Sequence, residues 1–561
     1  MKETLRRSLV LSLSVLLVLG LIVGCAGTPA VTTPGATDKT TAAVSTTPAA
    51  TTTAAVGAEK ITLPLFPAVT ELSIFWRLNP KATASMKNYS EMRLVQELEK
   101  RTNVRLKFVQ PPIGQDQEQF NLMRASNNYS DIIYWETWLA PTTVGGPEKA
   151  IADKFILPLN DLMAQYSPNL TALMAKEPKI KRDIATDNGT LYGYPLLRYN
   201  QSMKGVWGFL IREDWLKKLG LKMPTTVAEY HDVLVAFRDK DPNGNGQKDE
   251  IPFTGPKGRY LNLLYMWGIT NDFMNVDGKV VYGPFTEEYR QAMTTLSKWY
   301  AEGLIDKDFA VNDERQAEAK LLADKGGSYW GETGGSTGLI MKSFTDSGAT
   351  DKRIVGFPIP KLKTGDVNTN YNMDRLYDGV AASISSTNKY PIQSAKLLDY
   401  AYSDEGSLLY NFGIEGESYT MVDGKPKFMD MITKNPNGLS IDQALARYCF
   451  GSMQANMVFS PMVRDQRMLF FDWQGASIAE WNKDSNARKM PPVTMTIEEN
   501  KSYAKIMADI QTYMDENFNK FLQGITPMSD FDKYLAQLKA MGIEQAIAFR
   551  QSALDRYNAR K

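Results

Sequence analysis

The sequence predicts an α/β fold with open sheets flanked by helices, organised in two or more domains or large lobes. Strand-like and helix-like segments alternate between Glu71 and Trp135, a pattern typical of a parallel sheet with right-handed crossovers. The chain has 561 residues, which is more than one hydrophobic core normally supports. With 43% apolar residues, most of the chain is expected to fold.

The individual segments have clear periodicity. ELSIFW, VRLKFV and DIIYW predict strands, whereas EMRLVQELEKR and EQFNLMRAS carry apolar residues at helical spacing. A second α/β unit begins at GVWGFLIREDWLKKLG, a strand followed by a helix that ends at Gly220. Asp-Gly pairs in NVDGKVVYG and YTMVDGKPKF predict two hairpins. After about Glu498 the sequence is mostly helical.

Composition disfavours several classes of function. The 64 basic and 63 acidic residues leave a net charge of +1, so the electrostatic footprint of a nucleic-acid-binding protein is missing. The two cysteines, Cys25 and Cys449, lie too far apart to suggest a disulfide scaffold. The single histidine, His231, flanks the apolar stripe of a predicted helix and is expected to be an ordinary helix residue. Histidine-rich zinc sites and most histidine-dependent catalysis are therefore disfavoured.

The amino terminus predicts an export signal and a lipid anchor. Residues 1–24 contain basic residues and then an apolar run that is too short to predict a spanning helix. LIVGC resembles the lipobox of bacterial lipoproteins, which implies that Cys25 becomes the lipidated first residue of the mature chain. Residues 25–58 are nearly all Thr, Ala, Pro, Ser and Gly, which predicts a flexible tether. The folded body is thus expected at the extracellular face of a bacterial cell membrane.

The stretch DPNGNGQKDEIP resembles the start of an EF-hand calcium loop. An EF-hand uses oxygen donors at positions 1, 3, 5, 7 and 9, glycine at position 6 and a bidentate glutamate at position 12. The first five donor positions are filled by Asp241, Asn243, Asn245, Gln247 and Asp249, with Gly246 at the turn. Position 12 is Pro252, which has no side-chain oxygen. From the residues alone, a calcium site and a turn built from Asn and Gly both remain open.

Topology alone suggests a first set of binding-site candidates. Ligands of open α/β sheets bind beyond the carboxyl ends of the strands. The residues at or just after the first and third predicted strands are Trp76, Trp135, Glu136 and Trp138. Packing in the core or under a loop is the alternative for each of the aromatic residues.

Several motifs together resemble a known family. The lipobox, the Thr-rich stalk, LYGYP, REDWLKKLG, DPNGNGQKDEIP, DYAYSDEGSLLYNFGIEGESY and MGIEQAIAFRQSALDRYN are similar to extracellular solute-binding proteins of the family 1 type. The most similar branch is the large lipoproteins of Firmicutes related to alginate-oligosaccharide binders. The resemblance implies a two-lobe periplasmic-binding-protein-like fold of type II, with a hinge between the lobes. It also implies a monomer that captures an oligosaccharide and presents it to the permease subunits of an ABC importer.

The same resemblance places the lobes and the calcium ligands. It implies a first lobe over 59–195 and about 378–440, and a second lobe over 196–377 and about 441–561. For a structural Ca²⁺ it implies ligands from Asp241, Asn243, Asn245, the Gln247 carbonyl, Asp249 and Glu250. In this branch the adjacent Asp-Glu pair replaces the distant glutamate of the EF-hand.

Sugar recognition predicts a second set of binding-site candidates. Flat aromatic faces take the apolar side of a sugar ring, and planar polar groups take its hydroxyls. Residues of these types in glycine-rich or loop-like settings are Tyr329, Trp330, Arg375, Asp378, Asp472 and Trp473. The arginines at 198, 259, 375 and 464 are of the type that binds carboxylates, but the neutral net charge gives no preference for an acidic solute. Core or surface packing is the alternative for each residue.

Two other classes of function remain as alternatives. A secreted glycoside hydrolase or lyase works with two carboxylates and needs no histidine, although no acidic pair stands in a recognisable catalytic motif. A surface sensor or adhesin would use the same lobes without a transporter. We expect a binding protein and no enzyme activity.

Overall fold

The computed structural model describes residues 59–140, 143, 145–199, 204–371 and 373–560. The predicted export signal, the tether and Cys25 lie outside these residues. Within the described ranges, every helix is too short or too polar to cross a membrane.

Two separate hydrophobic cores divide the described chain into two lobes. The core of the first lobe is built from residues 66–197 and 377–463, and that of the second from 206–373 and 468–557. The chain therefore crosses between the lobes three times. The sequence placed the last crossing near residue 440, but residues 441–463 pack into the first core and move it to 464–467.

The first lobe opens with the predicted alternation of strands and helices. Its elements are β1 (Thr70–Phe75), α1 (Arg93–Thr102), β2 (Val104–Val109), α2 (Asp116–Ser126), β3 (Ile132–Trp135), α3 (Gly146–Ala152), α4 (Asn160–Tyr166), α5 (Pro168–Lys176), α6 (Pro178–Ile184) and β4 (Tyr194–Pro195). Helix α1 buries Leu94, Val95 and Leu98 on one face and ends at Asn103, whose φ of 56° is left-handed.

The second lobe follows the first crossing. Its elements are β5 (Trp207–Arg212), α7 (Glu213–Leu219), α8 (Val227–Asp239), β6 (Ile251–Phe253), β7 (Phe273–Val276), β8 (Lys279–Tyr282), α9 (Glu287–Ala301), α10 (Glu314–Leu322), β9 (Gly326–Glu332), α11 (Ser336–Asp346) and β10 (Ile354–Gly356). The capping box predicted for α8 forms between Thr226 and Glu229.

The chain then returns to the first lobe before its last crossing. The returning elements are β11 (Ala381–Ile384), α12 (Pro391–Tyr400), α13 (Asp404–Phe412), β12 (Tyr419–Val422), β13 (Lys425–Phe428), α14 (Asp430–Thr433) and α15 (Ile441–Ala446). Helix α16 (Pro461–Met468) makes the third crossing, and the second lobe is completed by α17 (Asp472–Trp481), α18 (Ile497–Leu522), α19 (Phe531–Ala540) and α20 (Ile543–Ala559). Short 3₁₀ helices span Ala82–Ala84, Tyr89–Glu91, Arg259–Trp267, Gly283–Phe285 and Met528–Asp530.

Each lobe contains one mixed sheet. In the first lobe the order is β2-β1-β3-β11-β4, with β1 parallel to β2 and β3 as predicted. Strand β11, which follows the second crossing, is antiparallel to its neighbours β3 and β4. In the second lobe the order is β10-β5-β9-β6. The two-lobe α/β class predicted from the sequence is confirmed.

Both predicted hairpins form at their Asp-Gly pairs. Strands β7 and β8 are joined through Asp277 and Gly278, whose φ angles are 52° and 84°. Strands β12 and β13 are joined through Asp423 and Gly424, at 50° and 72°. Two consecutive positive φ angles match the backbone twist of a tight hairpin.

Candidate ligand-binding cleft

A cleft between the lobes contains two cavities that share Glu136 in their walls. The first chamber, of about 890 Å³, is lined by Glu136, Leu139 and Asp378 from the first lobe and by Tyr265, Lys489 and Tyr503 from the second, among others. The second chamber, of about 730 Å³, is lined by Arg77, Asp442 and Phe459 from the first lobe and by Trp207, Arg259 and Glu332 from the second, among others. Each volume lies within the usual range of small-molecule sites.

An ion-pair network joins the three crossings beside the chambers. Arg198, on the first crossing, lies 2.7 Å from Asp378 and 3.5 Å from Asp374. Arg464, on the third crossing, lies 2.5 Å from Asp374, and Arg375 lies 3.1 Å from Asp378. Burial lowers the pKa of both Arg375 and Arg464. The predicted site residues Arg375 and Asp378 thus lie together in the cleft wall, where the lobes are joined.

Glu136 is the predicted residue that faces both chambers. It forms an ion pair with Arg77, and its side chain is 18% exposed. Since Arg77 also lines the second chamber, the pair presents a donor and an acceptor to the same space. This is the polar arrangement that the hydroxyl groups of a sugar require.

A buried triad of charges fixes the third crossing to the first lobe. Asp442 accepts hydrogen bonds from Lys81 Nζ at 2.5 Å and from Arg467 Nε and Nη2 at 2.5 and 2.7 Å. Burial alone would raise the pKa of Asp442, but the charges of Arg467 and Lys81 outweigh it and hold the pKa below its ordinary value. Because Arg467 lies on α16, the triad holds the crossing helix at the wall of the second chamber.

The three tryptophans predicted from strand ends in the first lobe lie in its core. Trp76 stacks on Phe450 with 4.7 Å between ring centroids, and Trp135 stacks on Phe120 at 4.0 Å. Trp138 is fully buried. Because ligands of open α/β sheets bind beyond the carboxyl ends of the strands, the topology places the backbone of these residues near the cleft. It does not determine where a side chain points, and here the three indole rings pack into the core of the lobe.

The aromatic candidates of the second lobe are also buried. The hydroxyl of Tyr329 donates to Thr337 Oγ1 at 2.7 Å. Trp330 is only 2% exposed and packs behind Tyr265, whose ring lies 5.4 Å away and lines the first chamber. Trp473 is buried on α17. The neighbouring Asp472 is instead largely exposed and pairs with Arg353 at 3.1 Å, in the wall of neither chamber.

Sequence reasoning missed the aromatic residue that the second chamber exposes. Trp207 begins β5 directly after the first crossing and is partly exposed. The guanidinium of Arg259 lies 4.4 Å from the ring centroid of Trp207. On the neighbouring strand β9, Glu332 is the residue paired with Trp207. The sequence contained a signal for Trp207, because an aromatic residue at the beginning of a strand that follows a crossing lies close to the cleft.

The Asp/Asn/Gly loop between α8 and β6 is organised by Asp241. One oxygen of its carboxylate accepts the N–H groups of Gly244 and Asn245 at 2.9 and 3.1 Å, and the other accepts that of Gly246 at 3.0 Å. The N–H of Gln247 donates to Asn245 Oδ1 at 2.7 Å. Asp241, Gly244 and Gly246 all have positive φ, as expected of an Asx-Gly turn.

The predicted metal ligands Asp249 and Glu250 differ in their surroundings. The side-chain amides of Asn243 and Asn245 donate to Asp249 Oδ1 at 3.3 and 3.0 Å. Both carboxylate oxygens of Glu250 are buried and have no hydrogen-bond partner of ordinary geometry. Burial, followed by the charges of Asp241 and Asp249, raises the pKa of Glu250. A buried carboxylate without a partner is unfavourable unless a cation is bound nearby.

The loop meets the beginning of β9 at the connection from α10. Asn243 Nδ2 donates to the Asp324 carbonyl at 3.1 Å, and Lys325 Nζ lies 3.0 Å from Asp249. Among the described residues no cluster of three Asp, Glu, His or Cys side chains has the arrangement of a metal site. The oxygen donors present are carboxylates, amides and a backbone carbonyl, which are the hard ligands that Ca²⁺ prefers.

Comparison with known proteins identifies relatives along most of the chain. No protein-family model matches it. The chain is 25% identical over 548 residues to the fructooligosaccharide ABC transporter substrate-binding protein FusA of Streptococcus pneumoniae serotype 4, covering 90% of this chain and 93% of FusA. It is 27% identical to lipoprotein LipO of Bacillus subtilis over 69% of this chain and 74% of LipO.

Solved structures agree with this relationship. The alginate-binding protein AlgQ2 without calcium ion superposes with a TM-score of 0.74 and 25% identity, over 88% of this chain and 99% of AlgQ2. An EF-hand mutant of FusA in complex with fructo-nystose superposes at 0.70 with 22% identity, over 88% of this chain and all of that one, and shows the shared fold. The chain is therefore homologous to the substrate-binding proteins of ABC transporters and shares their two-lobe fold.

Proposed function

We propose that the protein captures an oligosaccharide between its two lobes by hinge closure and delivers it to the permease of an ABC importer. A lipid on Cys25 would hold it at the extracellular face of the cell membrane. FusA, named as a fructooligosaccharide-binding transporter component, supports the solute class. LipO, named as a lipoprotein, supports the anchor.

The observation that carries the proposal is the composition of the second chamber. Trp207 is a partly exposed aromatic residue in its wall. Around it stand Arg259, Glu332 and the pair of Arg77 and Glu136, which supply donors and acceptors. An apolar face with convergent polar groups matches the two sides of a sugar ring.

We predict that an oligosaccharide of the correct class raises the melting temperature reversibly. A ligand at one hundred times its Kd stabilises the folded state by about 2.7 kcal/mol, because it binds the folded protein and not the unfolded chain. A panel of plant and bacterial oligosaccharides, followed by thermal melting and by chromatography of the recovered ligand, checks this. A melting temperature that stays constant across the whole panel would contradict the proposal.

The same experiment distinguishes the hydrolase alternative. Glu318 is a partly buried carboxylate in the wall of the second chamber, and burial, followed by the charge of Glu314, raises its pKa. A raised pKa is what a general acid needs. Recovery of the bound oligosaccharide at its original length supports a binding protein, whereas shortened products would assign an enzyme.

We also propose that the Asp/Asn/Gly loop holds a structural Ca²⁺. Its ligands would be Asp241, Asn243, Asn245, the Gln247 carbonyl, Asp249 and Glu250. The buried oxygens of Glu250, which have no hydrogen bond of ordinary geometry, support this, as do the AlgQ2 structure, described as being without calcium ion, and the FusA structure, described as an EF-hand mutant. A bound ion would tie the end of α8 to the beginning of β6.

Removal of calcium is expected to lower the melting temperature by several degrees. The chelator withdraws an ion that binds only the folded loop, so stability falls by the binding free energy at the calcium concentration used. Thermal melting with EDTA, and then with excess Ca²⁺, measures the loss and its recovery.

A pair of variants localises the calcium effect. Glu250→Gln should strongly reduce the fall in melting temperature that EDTA causes, because it removes one anionic ligand from the loop. Glu544→Gln is the matched control, since Glu544 is exposed and pairs with Lys539 on the surface. Equal responses to EDTA in the two variants would refute the assignment.

A further inference from the structure

The two chambers differ in charge. Cationic residues in the wall of the first chamber are Arg375, Lys489, Lys501, Lys505 and Arg550. Its carboxylates are Glu136, Asp272 and Asp378. The second chamber is balanced, with six cationic and six anionic residues in its wall. The first chamber therefore carries an excess of positive charge although the chain as a whole is almost neutral.

Two of the three carboxylates of the first chamber are engaged in ion pairs. Glu136 is paired with Arg77. Asp378 is paired with Arg198 and with Arg375. The Asp272 carboxylate accepts the N–H of its neighbouring residue at 2.7 Å. An N–H donor does not neutralise a carboxylate, so Asp272 keeps its charge. One carboxylate outside the ion pairs of the described residues therefore faces four cations outside them, which are Lys489, Lys501, Lys505 and Arg550.

Lys489 is a partly buried cation of this chamber that has no ion pair among the described residues. Its Nζ donates one long hydrogen bond, of 3.4 Å, to the Met373 carbonyl. Within the described parts of the chain no carboxylate lies within 4.0 Å of it. Burial, and then the charge of Arg375, lower the pKa of Lys489, and the charges of Asp378 and Asp374 offset this only in part.

Arg550 is a second cation of this kind in the wall of the same chamber. Its guanidinium lies 5.5 Å from the ring centroid of Phe273 and 6.0 Å from that of Tyr503. Its Nε is buried and has no hydrogen-bond partner in the described ranges, and no described carboxylate lies within 4.0 Å. Lys489 and Arg550 are thus two cations that line one cavity and have no carboxylate within ion-pair distance in the described ranges.

We propose that the first chamber binds a carboxylate of the solute, so that the ligand is an acidic oligosaccharide, and that Lys489 determines this specificity. The inference rests on the proposed function and names its substrate class. A solute carboxylate would supply the charge that Lys489 and Arg550 lack, with charge-assisted hydrogen bonds that are stronger than neutral ones. A neutral sugar would remove the same cations from water without supplying a negative charge, and this desolvation reduces the binding free energy in a closed site.

Matched ligands test the proposal directly. The probes are trisaccharides of galacturonate, of mannuronate and of glucuronate, each beside its carboxyl-reduced neutral counterpart. Isothermal titration should show at least one acidic form that binds at least tenfold more tightly than its neutral counterpart. The preference should weaken as salt concentration rises, because screening reduces the attraction.

Variants of the full chain assign the preference to Lys489. Lys489→Met, which keeps the length and apolar stem of the side chain, should lose at least tenfold in affinity for the acidic form and little for the neutral one. Lys489→Arg should retain the preference for the acidic form. Lys483→Met is the matched control, because Lys483 is exposed and pairs with Glu480, and it should bind like the unaltered protein.

Each other outcome overturns a defined part of the account. Equal or tighter binding of the neutral forms overturns the acidic specificity and leaves the proposed function intact. A Lys489→Met variant that weakens both forms equally overturns the role of Lys489 in specificity. Failure of every oligosaccharide, acidic or neutral, to bind the unaltered protein overturns this inference together with the proposed function.

Discussion

Replacing Asp442 by asparagine should lower the free energy of unfolding by about 3–5 kcal/mol, the usual cost of breaking a buried ion pair. The side chains of Asp442 and Arg467 are 7% and 5% exposed, so the substitution leaves a guanidinium uncompensated away from water. Lys81 loses the same partner. Denaturant unfolding followed by circular dichroism measures the change.

The effect of Asp442→Asn should depend on pH. The folded-state pKa of Asp442 lies below its unfolded value, which is about 3.9. The triad therefore stabilises the fold fully above that pH, and its contribution is lost as pH falls through the folded pKa. The difference in stability between the unaltered protein and the variant should narrow when the pH is lowered below about 4.

Asp472→Asn is the control for this substitution. Asp472 also pairs with an arginine, Arg353, but its side chain is 75% exposed. Pairs in this setting contribute about 0–1 kcal/mol. A loss for Asp442→Asn as small as that for Asp472→Asn would show that the buried triad does not hold the third crossing.

Replacing Trp207 by alanine should weaken oligosaccharide binding at least tenfold, or by about 1.4 kcal/mol or more. The indole is the partly exposed aromatic face of the second chamber, and the guanidinium of Arg259 packs over it. The substitution removes the apolar face and frees Arg259 from its position. Isothermal titration with the ligand found in the melting screen measures the loss.

Trp330→Phe distinguishes the two tryptophan assignments. Trp330, which the sequence favoured, lies behind Tyr265 and is buried. Phenylalanine preserves most of the packing made by Trp330, so the affinity for the oligosaccharide should change by less than about threefold, or about 0.6 kcal/mol. If the Trp330 substitution weakened oligosaccharide binding more than the Trp207 substitution, the stacking role would belong to Trp330, as the sequence predicted.

Local patterns of the chain were predictable because local interactions determine them. The alternation from β1 to β3 follows from periods of two and 3.6 residues. The hairpins follow from Asp-Gly pairs, since Asp277 and Gly278 adopt the left-handed angles that other residues resist. The capping box of α8 needs only Thr226 and Glu229.

The positions of the aromatic side chains were not predictable in the same way. All four residues of β3 are buried, so its sequence has no alternation that would separate a cleft face from a core face. Trp135 could therefore be placed at the sheet edge from its position in sequence but not on one side of it. Its contact with Phe120 depends on how α2 packs, which no local pattern specifies.

The ion pairs could not be predicted from the sequence for a related reason. Lys81 and Asp442 are 361 positions apart in sequence, and the network at the crossings joins Arg198 to Asp374 and Arg464. Such pairs join segments that are far apart in sequence, so no local pattern specifies them. The excess of cations in the first chamber is equally hidden in a chain whose total charge is +1.

A crystal structure of the protein with the oligosaccharide identified by melting tests the central claim most directly. We expect the ligand to lie between the lobes, with a sugar ring against Trp207 and contacts to residues on both sides of the crossings. A ligand bound to one lobe alone, or outside both chambers, would contradict the account.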